Sequence, residues 1–138
     1  MKDIELARRS LEGHSIALCH MNEIITSDKR GIAPMMDFIA EGKDLRGFSV
    51  ADIVVGRAAA MLFVRAVIKD VYARTLSIGG KEFLEAHGIN VTFSELTENI
   101  MNRIGTGICP MEETVKNIDD PDEGYSALAA KLAIPGSK

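Results

Sequence analysis

The sequence predicts an α/β fold, arranged as a three-layer α/β/α sandwich with a mixed sheet. Near the N-terminus, Ile4, Ala7 and Leu11 follow the spacing of one helix face. In contrast, residues 67–76, "VIKDVYARTL", alternate from side to side in the manner of a strand. Because strands and helices of similar length alternate along the chain, helices are expected to cover the faces of a sheet.

Turn signals and hydrophobic periodicity divide the chain into short elements. Asn22 is the predicted turn of a β-hairpin, and Pro34 suits the first turn of a helix. The predicted elements, in chain order, are a helix at 3–13, strands at 15–20 and 23–27, a helix at 31–42, a helix at 50–64, a strand at 67–76, a helix at 79–88, a strand at 89–91, and helices at 92–105, 110–118 and 125–133.

Two of these helices are predicted from capping boxes, in which a Ser or Thr precedes an acid by three residues. Ser49 and Asp52 introduce "VADIVVGRAAAMLFV", which is almost wholly apolar or small and is interpreted as a buried central helix. Thr92 and Glu95 introduce the second. Gly56 costs about 1 kcal/mol in a helix relative to alanine. Its presence therefore indicates close packing or an approaching ligand.

The composition favours one domain, residues 1–138, with a small-molecule ligand. A chain of 138 residues can bury a core without metal or disulfide staples. The net charge of -4 and the 5% aromatic content argue against a nucleic-acid partner, which needs a basic face and stacking rings. The charged N-terminus is unlike a signal peptide, and Arg65 interrupts the apolar run "AAAMLFVRAV". We therefore expect a cytoplasmic protein without a membrane partner, in which Cys19 and Cys109 are free thiols.

The stretch "IGTGICPMEE" is the first candidate site. Pro110 suits the first position of a helix, so Cys109 is expected at or next to its N-cap, where amides and the helix dipole favour a thiolate. The same backbone could cradle a phosphate or carboxylate. An equally open alternative is that Cys109 is a small buried residue and the glycines join two helices. The residues assigned to this candidate cradle are Gly105, Thr106, Gly107 and Met111.

Arg57 is the second candidate, because a cation in an apolar helix must reach solvent, a carboxylate or an anionic ligand. Its guanidinium could instead extend to the surface or pair with an acid such as Asp52. Ser77 precedes "IGG" and is a candidate anion donor, although that stretch also reads as a plain turn.

No metal site or other cofactor is predicted. The three histidines are scattered at positions 14, 20 and 87, and the chain has neither Cys-x-x-Cys nor His-Glu-x-x-His.

Three groups of residues, taken together, resemble an uncharacterised bacterial and archaeal family of the cytidine-deaminase-like fold. They are Gly56-Arg57-Ala58-Ala59-Ala60, the step formed by Gly31, Ile32 and Pro34, and Cys109-Pro110-Met111-Glu112. The resemblance covers nearly the whole chain. It implies a helix-strand-strand-helix-strand-helix-strand core with a pocket at the N-terminal ends of the central helices.

The catalytic pattern of true deaminases is missing from this sequence. Those enzymes hold zinc with His or Cys on the first central helix and Pro-Cys-x-x-Cys on the second. Here the corresponding segments read "GRAAA" and "LSIGGKE". The resemblance therefore does not imply deaminase activity.

The sequence thus favours a deaminase-like domain without zinc that binds a small anionic molecule, such as a nucleotide or another phosphorylated metabolite. Arg57 would supply the counter-charge. One alternative is an enzyme that uses Cys109 as nucleophile or redox thiol, with Glu112 or a histidine as base. A further alternative is a self-associating module, a homo-oligomer formed through a sheet edge or a face that includes Met35 and Met36.

Overall fold

The computed structural model describes residues 1–133 as a mixed α/β structure with five strands and six helices. In chain order the elements are α1 (Asp3–Ser10), β1 (Ile16–His20), β2 (Glu23–Ser27), α2 (Ala33–Ala40), β3 (Ser49–Val55), α3 (Arg57–Arg65), β4 (Asp70–Ser77), α4 (Ile78–Ala86), β5 (Asn90–Thr97), α5 (Pro110–Val115) and α6 (Pro121–Leu132).

The five strands form one mixed sheet in the order β2-β1-β3-β4-β5. The strand β1 pairs antiparallel with both β2 and β3, whereas β3, β4 and β5 run parallel. Met21 and Asn22 join β1 to β2 with φ of 47° and 71°, the two left-handed residues that a tight hairpin turn needs. The predicted hairpin is therefore confirmed. The carboxyl ends of the three parallel strands meet at one edge of the sheet.

Helices pack on both faces of this sheet. On one face, Ala7 of α1 and Leu11, the residue that follows the helix, pack against Ala17, Cys19 and other small or aromatic side chains of the strands. The neighbouring residues of β1 point the opposite way, into the larger core cluster that α2 to α6 cover. The larger cluster is centred on α3, whose residues 58–63 are all buried. Helix, sheet and helix thus form three layers.

The predicted central helix over 50–64 is wrong in its first half. Residues 49–55 form β3, Gly56 ends the strand, and the helix begins only at Arg57. A short, continuous apolar run looks the same in a buried strand and in a buried helix, and Val54-Val55 is strand-like because β-branched residues favour extended backbone. Ser49 and Asp52 are not helix caps, since both lie buried within the sheet.

The helix predicted from Thr92 and Glu95 is also wrong. These two residues lie in β5, which continues to Thr97 and pairs with β4 along its whole length. Residues 98–109 then form a loop containing one isolated bridge, between Met101 and Ile108. The capping-box pattern of Thr92 and Glu95 is a weak local signal. Parallel pairing of the whole segment with β4 outweighs it.

Other predicted boundaries shift by a few residues. β4 begins at Asp70 because Val67 takes a left-handed turn conformation, with φ of 59°. The last helix begins at Pro121, where the Asp120 side chain accepts the N–H of Glu123, rather than after Gly124. The helices predicted near residues 3–13, 31–42 and 79–88 are confirmed.

Two surface expectations can also be checked. Met35 and Met36 are buried in the larger core, so the face proposed around them is not a surface available for association. Among the helices of residues 1–133, none is long and apolar enough to cross a membrane.

Asp52 generates a prediction for pH dependence. Burial raises the pKa of its carboxyl to about 8, although the N–H groups of Ile53 and Val54 oppose the rise. In an unfolded chain an aspartate titrates near pH 4. Between about pH 4 and pH 8 the unfolded state therefore releases a proton that the native state keeps, and the free energy of unfolding falls as pH rises.

The variant Asp52→Asn removes this titration. We expect urea denaturation to show a shallower loss of stability from pH 5 to pH 8 than in the wild type, and a gain at pH 8 of at least about 1.4 kcal/mol, the equivalent of one pKa unit. Parallel curves for the two proteins would contradict the assignment.

Candidate functional site

Two helix N-termini meet at the carboxyl ends of the parallel strands. Only Gly56 separates β3 from α3, and α4 follows β4 directly. A Cβ atom on Gly80, in the first turn of α4, would lie 3.0 Å from the Gly56 carbonyl. Glycine is therefore needed at position 80 so that the two helices can approach, and their partial positive charges point into the same region.

The N-terminus of α3 is capped by a side chain that is distant in sequence. Glu112, in the first turn of α5, accepts the N–H of Arg57 with Oε1 and the N–H of Ala58 with Oε2, both at 2.8 Å. Gly56 has no side chain to serve as a cap, and a Cβ there would overlap the Glu112 carboxylate and lie 2.8 Å from Ile100 Cγ1. The glycine thus makes room for the carboxylate.

The Arg57 side chain holds the end of α5. Its Nε donates to the Val115 carbonyl at 3.1 Å, and its Nη2 donates to the Ile118 carbonyl and to Asp119 Oδ1, the latter at 2.8 Å. The guanidinium also lies over the Phe83 ring, 4.9 Å from its centroid. Its carboxylate partner is therefore Asp119, and Asp52, the acid suggested by the sequence, accepts the N–H of Ile53 instead.

Ser77 is the N-cap of α4. Its Oγ accepts the Gly80 N–H at 2.9 Å. The N–H groups of Ile78 and Gly79 precede the first residue that can bond within the helix, so the helix itself gives them no acceptor. A Cβ on Gly79 would meet no atom within 4 Å, and Ile78 and Gly79 both line the cleft described below.

Residues 100–109 fold back on themselves as a small hairpin. The Cys109 N–H donates to the Ile100 carbonyl, and the Asn102 N–H donates to the Gly107 carbonyl. At the tip, the amides of Gly105 and Thr106 donate to the carbonyl and the side-chain oxygen of Asn102. Two of the four residues that the sequence offered as an anion cradle, Gly105 and Thr106, thus have their amides bonded within the hairpin.

These elements enclose a cleft of about 530 Å³. Of the sequence-predicted residues, Arg57, Ser77 and Glu112 are brought together in it. Met111 packs against the larger core, and Cys109 is the N-cap residue of the six-residue α5. The described residues that line the cleft are Arg57, Ser77, Ile78, Gly79, Glu82, Glu98, Asn99, Ile100, Ile108, Glu112, Glu113 and Lys116.

Some of the charged side chains that line the cleft are already paired within the structure. Arg57 and Glu112 are committed to the contacts above, and Lys116 pairs with Glu113 at 3.1 Å. Glu82 and Glu98 also face the cleft and were missed by sequence reasoning. A hint was available for Glu82, which follows the glycine pair at the start of a predicted helix, but Glu98 was assigned to a helix that does not form.

Both cysteines are free thiols, as predicted. Burial raises the pKa of the Cys19 thiol, which makes Cys19 less reactive. For Cys109, the proposed base Glu112 has both carboxylate oxygens occupied by backbone amides. A nucleophilic role for Cys109 stays a prediction. No group of three His, Cys, Asp or Glu side chains suited to a metal ion occurs within residues 1–133.

Removal of the Glu112 carboxylate should destabilise the fold. We expect Glu112→Ala to lower the free energy of unfolding by about 2 kcal/mol, since two charge-assisted bonds to a helix end are lost. Glu113→Ala, one residue away, breaks only an exposed ion pair and should cost about 0.5 kcal/mol or less. Urea denaturation of both variants checks this, and equal losses would contradict the capping role.

A double-mutant cycle tests why position 56 is a glycine. Gly56→Ala should be costly in the wild type, because the new methyl group meets the Glu112 carboxylate. In the Glu112→Ala background the same substitution should cost at least about 1 kcal/mol less. If the stability losses of Gly56→Ala and Glu112→Ala are additive in the double variant, Glu112 is not the group that excludes a side chain at position 56.

Comparison with known proteins places the chain in a family. A family model described as "TM1506: Domain of unknown function (DUF1893)" matches residues 7–132. Among solved structures, a DUF1893 family protein (TM1506) from Thermotoga maritima is similar, with a TM-score of 0.86 and 23% identity over 95% of this chain and 91% of that chain. At this identity the likeness shows a shared fold alone. Among proteins of curated function, none matches the sequence. Because the family model matches most of the length of this chain, the chain belongs to the DUF1893 family.

Proposed function

We propose that this protein is a deaminase-like domain without zinc that binds a small molecule through an anionic group, such as the phosphate of a nucleotide. The observation that carries the proposal is the pair of helix N-termini in one cleft. One of them already binds a carboxylate, that of Glu112, through two backbone amides. The other, at α4, has two first-turn residues, Ile78 and Gly79, in the lining of the cleft.

The order of elements supports the deaminase-like part of the proposal. The chain runs α1-β1-β2-α2-β3-α3-β4, as the resemblance implies. The segments that would carry zinc ligands in a deaminase begin at Gly56 and at Leu76, and they lie side by side here, since a Cβ on Gly80 would lie 3.0 Å from the Gly56 carbonyl. Their residues do not suit zinc, because they offer an arginine, a serine and glycines in place of imidazole or thiolate ligands.

We place the anionic group of the ligand at the N-terminus of α4. The N–H groups of Ile78 and Gly79 would donate to it, and the helix dipole favours negative charge there. Lys116 and the Arg57 guanidinium line the same cleft, where they are already paired with Glu113 and Asp119. In this arrangement Arg57 would not bond the ligand directly, since its side-chain hydrogen bonds hold α5 in place. Contacts from Gly105, Thr106, Gly107 and Met111 stay a prediction.

The acids of the cleft define the rest of the ligand. Glu82 and Glu98 would repel a molecule that is negative throughout, but they accept hydrogen bonds well. Asn99 lies beside them and can accept or donate. A ligand with an anionic end and a donor-rich end satisfies both regions. The amino and hydroxyl groups of a nucleotide have this character.

Gly79 offers a test that leaves the fold intact. Gly79→Asp places a fixed carboxylate in the first turn of α4, where an acid stabilises the helix and would occupy the proposed anion position. Gly79→Asn has nearly the same shape without the charge and is the matched control. Thermal unfolding of the three proteins is measured with inorganic phosphate and with adenosine, cytidine and uridine monophosphates.

We expect a nucleotide to raise the Tm of the wild type and of Gly79→Asn by several degrees, since saturation at about 100 times Kd adds roughly 2.7 kcal/mol. Gly79→Asp should show no such rise, and inorganic phosphate should act more weakly than the nucleotides. If no phosphate-bearing compound shifts the wild type, or if Gly79→Asp responds like Gly79→Asn, the proposed anion position is wrong.

A further inference from the structure

The strand β5 is an unprotected edge of the sheet. Within the described residues it pairs only with β4, and its outer side has no neighbouring strand. The pairing with β4 runs from Asn90 to Thr97 without a bulge. Natural edge strands are usually short, bulged, or interrupted by proline or lysine. β5 has eight residues and none of these features, and Glu95 is its one charged residue.

Apolar side chains extend this edge beyond the strand. Phe93 and Leu96 of β5 are exposed, and so are Met101 and Ile108 of the following hairpin. Ile104, at the hairpin tip, is 79% exposed. The hairpin is held in shape by the hydrogen bonds of Asn102 described above. We call β5 together with residues 100–109 the β5 surface.

We infer that the β5 surface binds a second copy of this chain, with the two β5 strands antiparallel across a two-fold axis. An antiparallel pair uses the outward N–H and C=O groups of both edges and continues the sheet. With the axis at Phe93, the two phenyl rings face each other and Thr92 lies opposite Ser94. The Glu95 carboxylates are then four residues apart along the ladder, which limits their repulsion.

Charge and size both favour a second copy as the occupant. The antiparallel arrangement carries the hairpin of each chain towards the start of the other β5, where α4 ends. Arg103 at the hairpin tip is thereby brought to the end of α4 that carries Glu85, which is exposed and also pairs with Lys81 at 3.1 Å. The eight residues of β5 and the ten of the hairpin come close to the lower end of the roughly 20–30 residues that each side of a stable interface contributes.

The test is sedimentation equilibrium of the unliganded protein over a wide concentration range. Leu96→Lys places on β5 the charge that protects natural edges, and Ile104→Lys changes only the exposed hairpin tip. Ile24→Lys is the matched control, because Ile24 is an exposed isoleucine on β2, the opposite edge of the sheet. Circular dichroism verifies that each variant is folded, and Ile104→Lys carries the test if Leu96→Lys does not fold.

We expect the wild type and Ile24→Lys to form a dimer, and each variant of the β5 surface to raise the dimer Kd at least about tenfold. Amide hydrogen exchange in β5 should slow as the wild type is concentrated. A wild type that stays monomeric at millimolar concentration overturns the inference. A dimer that is weakened by Ile24→Lys and untouched by the β5 variants also overturns it, because the interface would then lie at β2.

Discussion

The bond between the Glu112 carboxylate and the first two amides of α3 organises the whole carboxyl edge of the sheet. α3 is the most buried helix of the protein, and its N-terminus would otherwise hold two N–H groups without acceptors. The Glu112 carboxylate supplies the missing acceptors through two charge-assisted hydrogen bonds. It also fixes where α5 lies, because the carboxylate reaches α3 only from one position of that short helix.

Other features of the edge accommodate that bond. Gly56 gives the carboxylate space, and Gly80 lets α4 come close to the same point. Arg57 donates its backbone N–H to Glu112 and its side-chain N–H groups to the carbonyls of Val115, the last residue of α5, and of Ile118, so one residue secures both ends of the short helix. One side of the cleft is therefore framed by backbone groups and by contacts between α3 and α5.

The two helix N-termini differ in a way that bears on the proposed binding of a ligand. At α3 an internal carboxylate has neutralised the terminus, whereas at α4 the Ser77 hydroxyl satisfies one amide and leaves the terminal charge in place. A helix dipole without an internal counter-charge attracts an anion, and neighbouring acids restrict which anion can stay. Selectivity in such a cleft would come from the acids, and attraction from the helix.

Sequence reasoning was right where local signals agree. Asn22 marked the hairpin, Pro34 marked α2, and Ser77 lay at the start of α4, as its position before the glycine pair indicated. It failed at β3, because an apolar run has no periodicity to separate strand from helix. It failed again at β5, where the parallel partner β4 is not visible locally.

The candidate site was predictable in part for the same reason. Arg57 and Ser77 stood out by their own neighbours and do line the cleft. The role of Glu112 depends on a contact across 55 residues, for which a single sequence contains no local signal. Gly56 was noticed as an approach point, but the approaching group is a carboxylate of the chain itself.

The sequence separation of the Arg57 contacts has a consequence for folding. Its partners Glu112, Val115, Ile118 and Asp119 lie 55 to 62 residues further along the chain. Closing a loop of this length carries an entropic cost before any contact compensates for it, so local pairings such as the β1–β2 hairpin form sooner. During synthesis, the sheet up to β5 leaves the ribosome before α5 does. The cleft is thus completed only after the five strands have been synthesised, and a nascent chain carries α3 uncapped until α5 arrives.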